Sequence, residues 1–568
     1  MEPSLAMNSD NYCFPITDID AIGDVIKDPP KWVNQIVPLI ERSTCVVENT
    51  LSDCHFEADH FQVKKRLDSR TVPRTLVCHD YKGGYREDRF MYDERTLAKG
   101  NSYTFYNWSQ IDIFVYFSHH FITIPPVCWI NAGHSNGVKV LGTIITEFKE
   151  GEEKCKSIFK DMQTMQSFAR SLAILTNTFK FDGWLLNIEN PVEHIDILKT
   201  FVTILTELTH SENPGSLVIW YDSVTIGGKL LWQNELNSNN ETFFDSCDGI
   251  FLNYVWTEEK IIKSAERAKH RCPDVYVGID VFGRNTFGGG NFNCYKAAEI
   301  IRKYNMSMAI FAPGWTHETL QSEDDKFFEM FVNRDTAFWK SLAPYMYTRP
   351  VTNVFKTRFN IGLDKEHYNI FSQQSQLSSL GYPENTVHIP EFATIVPLKL
   401  SCDCIKTVVL NNYKSYVIST SNLPRNISYV HSLFSCDLKI KGNTLVYFVT
   451  KRMDHSQGGL SLVFLTSASE RFKKIKLLSH NKLDCLKTMS LVEVNPSTET
   501  DLIKDIEHCY TELLEKFDCE LRVYTFSTEP CDILEIGATV ENGSSICLFA
   551  FGIQNESPNL LNYFFNDI

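Results

Sequence analysis

No stretch of the 568-residue chain comes near the ~20 consecutive apolar residues that a bilayer-spanning helix requires, which excludes such a helix, and no membrane insertion is expected. The opening segment, MEPSLAMNSDNYCFPITDID, carries acids where a secretory leader would carry a basic patch and an apolar run, so an unsecreted chain is expected. Positive charge is short as well: 55 Lys and Arg stand against 70 Asp and Glu, a net of −15. A surface of that sign repels phosphate backbones, which excludes nucleic acid as a partner. Pairing among the 17 cysteines is not evident: their number is odd, and Cys78, Cys128 and Cys547 sit inside apolar runs. That pattern suits reduced, buried thiols in the cytosol rather than a disulfide framework. In that compartment the glycosylation triplets at Asn107 and Asn426 carry no meaning. The His119-His120 pair, His134 and Cys402-Asp-Cys404 lack compact metal-ligand spacing, so no metal is expected. Internal repeats and low-complexity tracts are absent too.

What the chain does contain is one grammar, repeated from about residue 70 to 315: a short apolar run, a polar turn, an amphipathic helix, then the next run. The runs are RTLVCHDY, IDIFVYFSH, VKVLGTIITE, GWLLNIE, LVIWYDS, GIFLNYVW, VYVGIDVFG and MAIFAPGW. Eight such runs over about 240 residues predict an α/β fold, a (β/α)8 TIM barrel. Nearly continuous apolarity is what parallel strands buried on both faces require. A doubly wound sheet lacks support, because no Gly-rich phosphate turn follows any run. After the fourth run, Asn190 can cap a helix with Pro191 at its first position and Glu193 completing a capping box. KWVNQIVPLIERS is expected to form a short packed helix, and LIKDIEHCYTELLEKF a helical insertion near 502–517. The domain layout that follows is an N-terminal extension packing on the barrel (1–69), the barrel (70–345), a β-sandwich (346–485) and a second small β-rich domain (486–568). The fold class is thus a barrel followed by one or two antiparallel β-sandwich domains, since alternating β-like segments such as NTLVYFVTK and LSLVFLTSA fill the C-terminal part.

Every run turns polar or aromatic at its C-terminal end, the rim where barrel enzymes hold their active sites. The fourth is the most specific: in FDGWLLNIEN, Asn187 and Glu189 must share one face of a strand while Leu186 and Ile188 occupy the other. A carboxyl in a mostly apolar pocket resists ionising, which makes Glu189 a candidate general acid. Where glycosidases place a second carboxylate, this chain has an amide. An amide can hold a substrate acetamido group against the anomeric carbon, so that the sugar supplies its own nucleophile. Trp232, Trp256, Trp315, Tyr221 and Tyr116 lie at or just past strand ends, where flat faces can stack on sugars. Asn253 ends the sixth run with Trp256 close behind.

On these residues the chain resembles the cytosolic endo-β-N-acetylglucosaminidases of glycoside hydrolase family 85. The matching stretches are RTLVCHDYKGGYREDRF, IDIFVYFSHHFITIPPV, VLGTIITEF, FDGWLLNIEN, LVIWYDSV, FFDSCDGIFLNY, VYVGIDVFGR and IFAPGW, in order across the predicted barrel. The resemblance implies cleavage of the β-1,4 bond within the N,N′-diacetylchitobiose core of N-glycans, with retention through an oxazolinium intermediate. It gives Glu189 the part of acid then base, Asn187 that of steering the acetamido group, and Tyr221 a place beside that group. Trp232 is expected to contact the sugar, and Asn253, Trp256, Trp315, His134 and Tyr116 to bind substrate. Its partners would be N-glycans on glycoproteins or glycopeptides and free oligosaccharides. No metal or organic cofactor is implied. Where many relatives carry an AHRHG-like segment, this chain has Gly133-His134-Ser135-Asn136-Gly137, and after residue 350 the likeness fades. Two other readings compete: a lectin-like, non-catalytic glycan-binding barrel, and a chitinase, which would place Asp in a D-x-D-x-E pattern where this chain has Asn187.

Overall fold

A computed structural model describes residues 12–49, 55–57, 61–89, 103–321, 327–357, 359, 405–410, 413–419, 428–453, 458–468, 471–541 and 544–555. Each of the eight apolar runs forms a strand: β1 (Thr75–Asp80), β2 (Ile113–Phe117), β3 (Lys139–Glu147), β4 (Gly183–Glu189), β5 (Leu217–Tyr221), β6 (Gly249–Leu252), β7 (Val275–Asp280) and β8 (Ser307–Phe311). They pair in parallel in sequence order, and β8 closes the barrel on β1, with Met308 opposite Thr75 and Phe311 opposite Cys78. Alternation along the strands splits the apolar residues into two layers. Leu76, Val115, Leu141, Leu185, Ile219 and Phe251 fill the interior. Val77, Phe114, Val140, Leu186, Val218 and Ile250 pack outward under the helices.

That outer layer is closed by helices α1 (Val127–Ser135), α2 (Met162–Thr178), α3 (Ile195–Glu212), α4 (Glu258–Ala268), α5 (Cys294–Lys303) and α6 (Phe327–Leu342). Asp161 caps α2 by accepting from the Thr164 amide at 2.8 Å, and Thr257 caps α4. The cap expected at Asn190 does not form. Helix α3 starts at Ile195, because the preceding segment is used elsewhere: the Val192 amide donates to Gly228 O at 2.9 Å and Asn190 Nδ2 to Pro191 O at 2.9 Å. The expected N-terminal helix shrinks to a 3-10 turn at Lys31–Gln35, since the Val37 amide goes to the Asn131 side chain of α1 at 2.9 Å rather than to its own backbone.

The barrel is irregular at one place. β2 pairs β3 only from Ile113 to Val115; higher up, Ile122–Thr123 runs antiparallel to β3 and takes its place. Residues 118–121 therefore bulge over the rim, which carries His119 towards the end of β3.

Beyond the barrel, strands from Ile405–Leu410 to Ser545–Asn555 form one hydrogen-bonded sheet, antiparallel except where Arg471–Leu477 meets Leu491–Val494. Its two long members, Tyr429–Arg452 and Glu520–Val540, pair along most of their length through several register shifts. Strands on both sides of residue 485 belong to this sheet. The helical insertion is present as Thr500–Cys509 and Thr511–Phe517, and it packs Ile506, Tyr510 and Leu513 on one face of the sheet. Near the N-terminus, Cys45–Glu48 pairs with Arg66–Asp68 and Tyr347–Thr348. Residues 360–404, which include the Cys402-Asp-Cys404 motif and part of the expected β-sandwich, lie outside the described residues.

Register at β4 is fixed by a close backbone approach. Gly183 has φ +128°, and a Cβ there would stand 1.9 Å from Leu217 O on β5. Gly183→Ala is expected to destabilise the protein by about 3 kcal/mol or more, whereas Gly215→Ala, which would meet nothing nearer than 3.5 Å, should stay within roughly 0.5 kcal/mol. Thermal denaturation of the two variants checks this.

Candidate active site

The two-residue period of β4 turns Asn187 and Glu189 inward at its C-terminal end and sends Leu186 and Ile188 into the outer core. A cavity of about 210 Å³ opens there. Leu185, Cys78, Phe251, Phe117 and Phe311 give it an apolar floor and walls. Its polar groups are Asp80, His119, Asn187, Glu189, Tyr254 and Arg284, with Tyr221 beside them.

Glu189 sits between two N–H donors. Asn187 Nδ2 donates to Oε2 at 3.1 Å, and Trp232 Nε1 donates to Oε1 at 3.2 Å. Its carboxyl is nevertheless pushed above the ordinary glutamate range, first by burial and then by the nearby Glu147 charge; the two donors and His119 act in the opposite direction. Trp232 reaches Glu189 from a loop clasped by Asp222, the residue after β5. Asp222 accepts from the Asn234 amide at 2.7 Å, from the Gln233 amide at 3.3 Å and from Asn240 Nδ2 at 2.9 Å. Buried almost completely, its carboxyl is pushed up to about 6. Asn234 holds a positive φ of 56° and accepts from Asn253 Nδ2 at 2.8 Å, and Asn253 in turn accepts from the Tyr221 hydroxyl at 2.9 Å.

On the other side of Glu189, His119 Nδ1 lies 3.2 Å from Glu147 Oε2, and His119 Nε2 lies 3.9 Å from Asp80. The hydrogen bond to Glu147 raises the imidazole above its usual range, against the pull of partial burial. Arg284 binds Asp280 through two nitrogens at 2.9 Å, which directs its guanidinium over the Phe311 ring.

Of the residues expected at the site, Asn187, Glu189, Tyr221, Asn253 and Trp232 come together. Trp232 and Asn253 join through their bonds to Glu189 and Tyr221 rather than by lining the cavity, and the remaining four take no part in it. Tyr116 falls on the outward face of β2, where its hydroxyl donates to Asp88 at 2.7 Å and accepts from the Tyr85 amide. His134 lies on α1 and bridges Val37 O at 2.7 Å and Asp182 at 2.9 Å, at the opposite end of β4 from Glu189. Trp256 is buried, with Nε1 donating to Gly278 O at 2.8 Å and its ring stacked on Phe287. Trp315 packs between Phe292 and Arg334. Residues not singled out for the site but present in it are His119, Tyr254, Asp80 and Arg284; each lies at or just past the end of a strand, so the polar-rim pattern already marked the places.

The fold and this arrangement define a class: a closed parallel barrel with a protonatable carboxyl and an amide side by side at its C-terminal mouth. Residues 85–367 match the model of glycosyl hydrolase family 85. The chain is 36% identical over 501 residues to cytosolic endo-beta-N-acetylglucosaminidase 1 of Arabidopsis thaliana, covering 83% of this chain and 68% of that protein. It is 48% identical over 295 residues to the cytosolic endo-beta-N-acetylglucosaminidase of Mus musculus, covering 51% of this chain and 39% of that one. The fold is shared with the glycoside hydrolase domain of Endo-D from Streptococcus pneumoniae R6, with a TM-score of 0.65 at 14% identity over 96% of this chain and 84% of the other. The chain belongs to glycosyl hydrolase family 85.

Since the His119 charge holds Glu189 down, His119→Gln removes that pull and also leaves Glu147 unneutralised. Both changes raise the Glu189 pKa. Side-chain carbon NMR of labelled glutamate should show the Glu189 titration moved to higher pH in the variant.

Proposed function

We propose that the protein is an endo-β-N-acetylglucosaminidase of the cytosol that cleaves the β-1,4 bond between the two core N-acetylglucosamines of N-glycans, leaving one on the polypeptide. Among the described residues every cysteine is a free thiol and no helix is long and apolar enough to cross a membrane, which accords with the cytosolic names of the relatives. The observation that carries the reading is the Asn187–Glu189 pair, an amide bonded directly to a buried carboxyl at the wall of a cavity of sugar size.

In this reading Glu189, protonated through burial, gives its proton to the glycosidic oxygen as the bond to the anomeric carbon breaks. Asn187 spends its N–H on Glu189, so its carbonyl oxygen is left to accept the N–H of the substrate acetamido group. That bond turns the acetamido oxygen towards the anomeric carbon, where it forms the oxazolinium ring. Tyr221, Leu185 and Phe251 wall the space the acetamido methyl would occupy. Glu189, now a carboxylate, then takes a proton from water as water opens the ring, and retention follows from the two inversions. Trp232 holds Glu189 in place and offers the incoming sugar an aromatic edge. The product would be a free oligosaccharide ending in one N-acetylglucosamine.

Mass spectrometry of a digested glycopeptide should find cleavage between the two core sugars, and Glu189→Gln should lower kcat/KM by at least ~10³-fold. Asn187→Ala should be impaired with the natural substrate. A wild-type protein that binds the glycan tightly and releases no product would support the lectin-like reading instead.

A further inference from the structure

We infer that Phe148 is the contact surface for the polypeptide carrying the glycan, and that it selects apolar, unfolded segments. This rests on the proposed part of Glu189 as proton donor to the leaving sugar. Glu147 and Glu189 are register partners on adjacent strands, and such strands lie about 4.8 Å apart. Phe148 follows Glu147 directly, so it stands at the rim beside the proton donor.

Two features of Phe148 do not serve the fold. It is 82% exposed, so it packs on little. Its φ is +53°, a conformation that Asn or Gly adopts readily and a bulky aromatic rarely does. The turn itself is imposed from below. Gly151, in the helix Phe148–Ile158, lies so close to the next strand end that a Cβ would stand 2.7 Å from Asn190 Oδ1, and Asn190 Nδ2 donates to Cys155 Sγ at 3.5 Å. This helix is thus clamped to the residue after Glu189, and Phe148 is held out in solvent by it. Strain kept at an exposed apolar residue next to a reactive group points to a ligand rather than to packing.

The opposite side of Glu189 is similar. Leu231 is 57% exposed and Trp232, bonded to Glu189, is 40% exposed. When the glycosidic bond breaks, the leaving N-acetylglucosamine takes the proton from Glu189 and departs over that carboxyl, past these apolar groups. Its reducing end is joined to an asparagine, so the residues flanking that asparagine come within reach of Phe148. Large apolar side chains flanking the asparagine are far more available where the glycoprotein is unfolded, and the match of apolar surfaces then adds affinity.

The test uses one glycan in three forms: free, with both core sugars; on a peptide with Ser and Gly flanking the asparagine; and on a peptide with Phe and Leu there. The wild type should cleave the apolar-flanked peptide with a kcat/KM roughly tenfold above the polar-flanked one, mainly through KM. Phe148→Ser and Phe148→Asn should both erase that preference, the Asn variant with a thermal midpoint no lower than wild type. Equal wild-type kcat/KM on the two peptides, an equal loss on all three substrates in the variants, or a Phe148-dependent dimer in sedimentation would overturn the polypeptide surface and leave the endoglycosidase reading standing. Cleavage of none of the three would overturn both.

Discussion

The site depends on the two-residue period of a single strand. On β4, Leu185, Asn187 and Glu189 point into the barrel while Trp184, Leu186 and Ile188 point out. A slip of one residue would exchange the two sets, burying an amide and a carboxyl among helices and emptying the cavity of its chemistry. Two contacts oppose that slip. Gly183 admits the Leu217 carbonyl where no side chain would fit, and Trp184, fully buried, donates its Nε1 to Leu172 O at 3.3 Å. Tertiary packing at the lower end of the strand thus sets the polar pair at its upper end.

Given that placement, the upward shift of the Glu189 pKa follows from electrostatics. A carboxylate taken from water into an aromatic-walled cavity loses hydration that two neutral N–H donors only partly replace. Glu147 on the adjacent strand adds repulsion. His119 then limits the effect, lodged between Glu147 and Asp80 by the break in pairing between β2 and β3. The Trp232 loop is held in a comparable way: buried Asp222 gathers two backbone amides and one side-chain amide, and Asn234 links that loop through Asn253 to Tyr221. A change at Asp222 reaches Glu189 through Trp232, although the two carboxyls share no contact in this network.

Much of this could be read in the sequence, and the failures have physical causes. Eight apolar runs ending in polar residues are enough for a closed parallel barrel, and alternation within GWLLNIE separates the inward pair from its neighbours. In IFVYF that separation is lost, since both faces of a parallel strand are buried and every residue is apolar or aromatic. Tyr116 therefore could not be told from an inward residue, and it faces Asp88 instead. His134 follows a strand in the chain but lies at the barrel's other end, a distinction that needs the course of α1. The cap proposed at Asn190 had good local chemistry and lost to a tertiary bond, Val192 to Gly228. His119 reaches the site only because Ile122–Thr123 takes over pairing with β3, which no local pattern announces.

The remaining architecture bears on what the mouth can admit. Arg42 donates to the carbonyls of Trp108, Ile111 and Asn136, and Arg349 binds Asp112, all just before β2 or β3 and so at the N-terminal end of the barrel. Val351 N donates to Ser435 O, Ser43 to Asp437, and Arg66 to the carbonyls of Cys436 and Leu534, which tie the same end to the C-terminal sheet. These guanidinium and carboxylate groups are mostly shielded, and each is matched by carbonyls, a hydroxyl or an opposite charge, so cutting one would leave a shielded group unsatisfied. Attachment is therefore firm at the end of the barrel away from Glu189. Because the sheet is anchored there, these contacts take up none of the rim formed by Glu147, Phe148, Trp232 and Arg284. A substrate whose sugar must enter while a bulky aglycone stays outside needs an approach of that kind, and the barrel supplies it by using opposite ends for assembly and for chemistry.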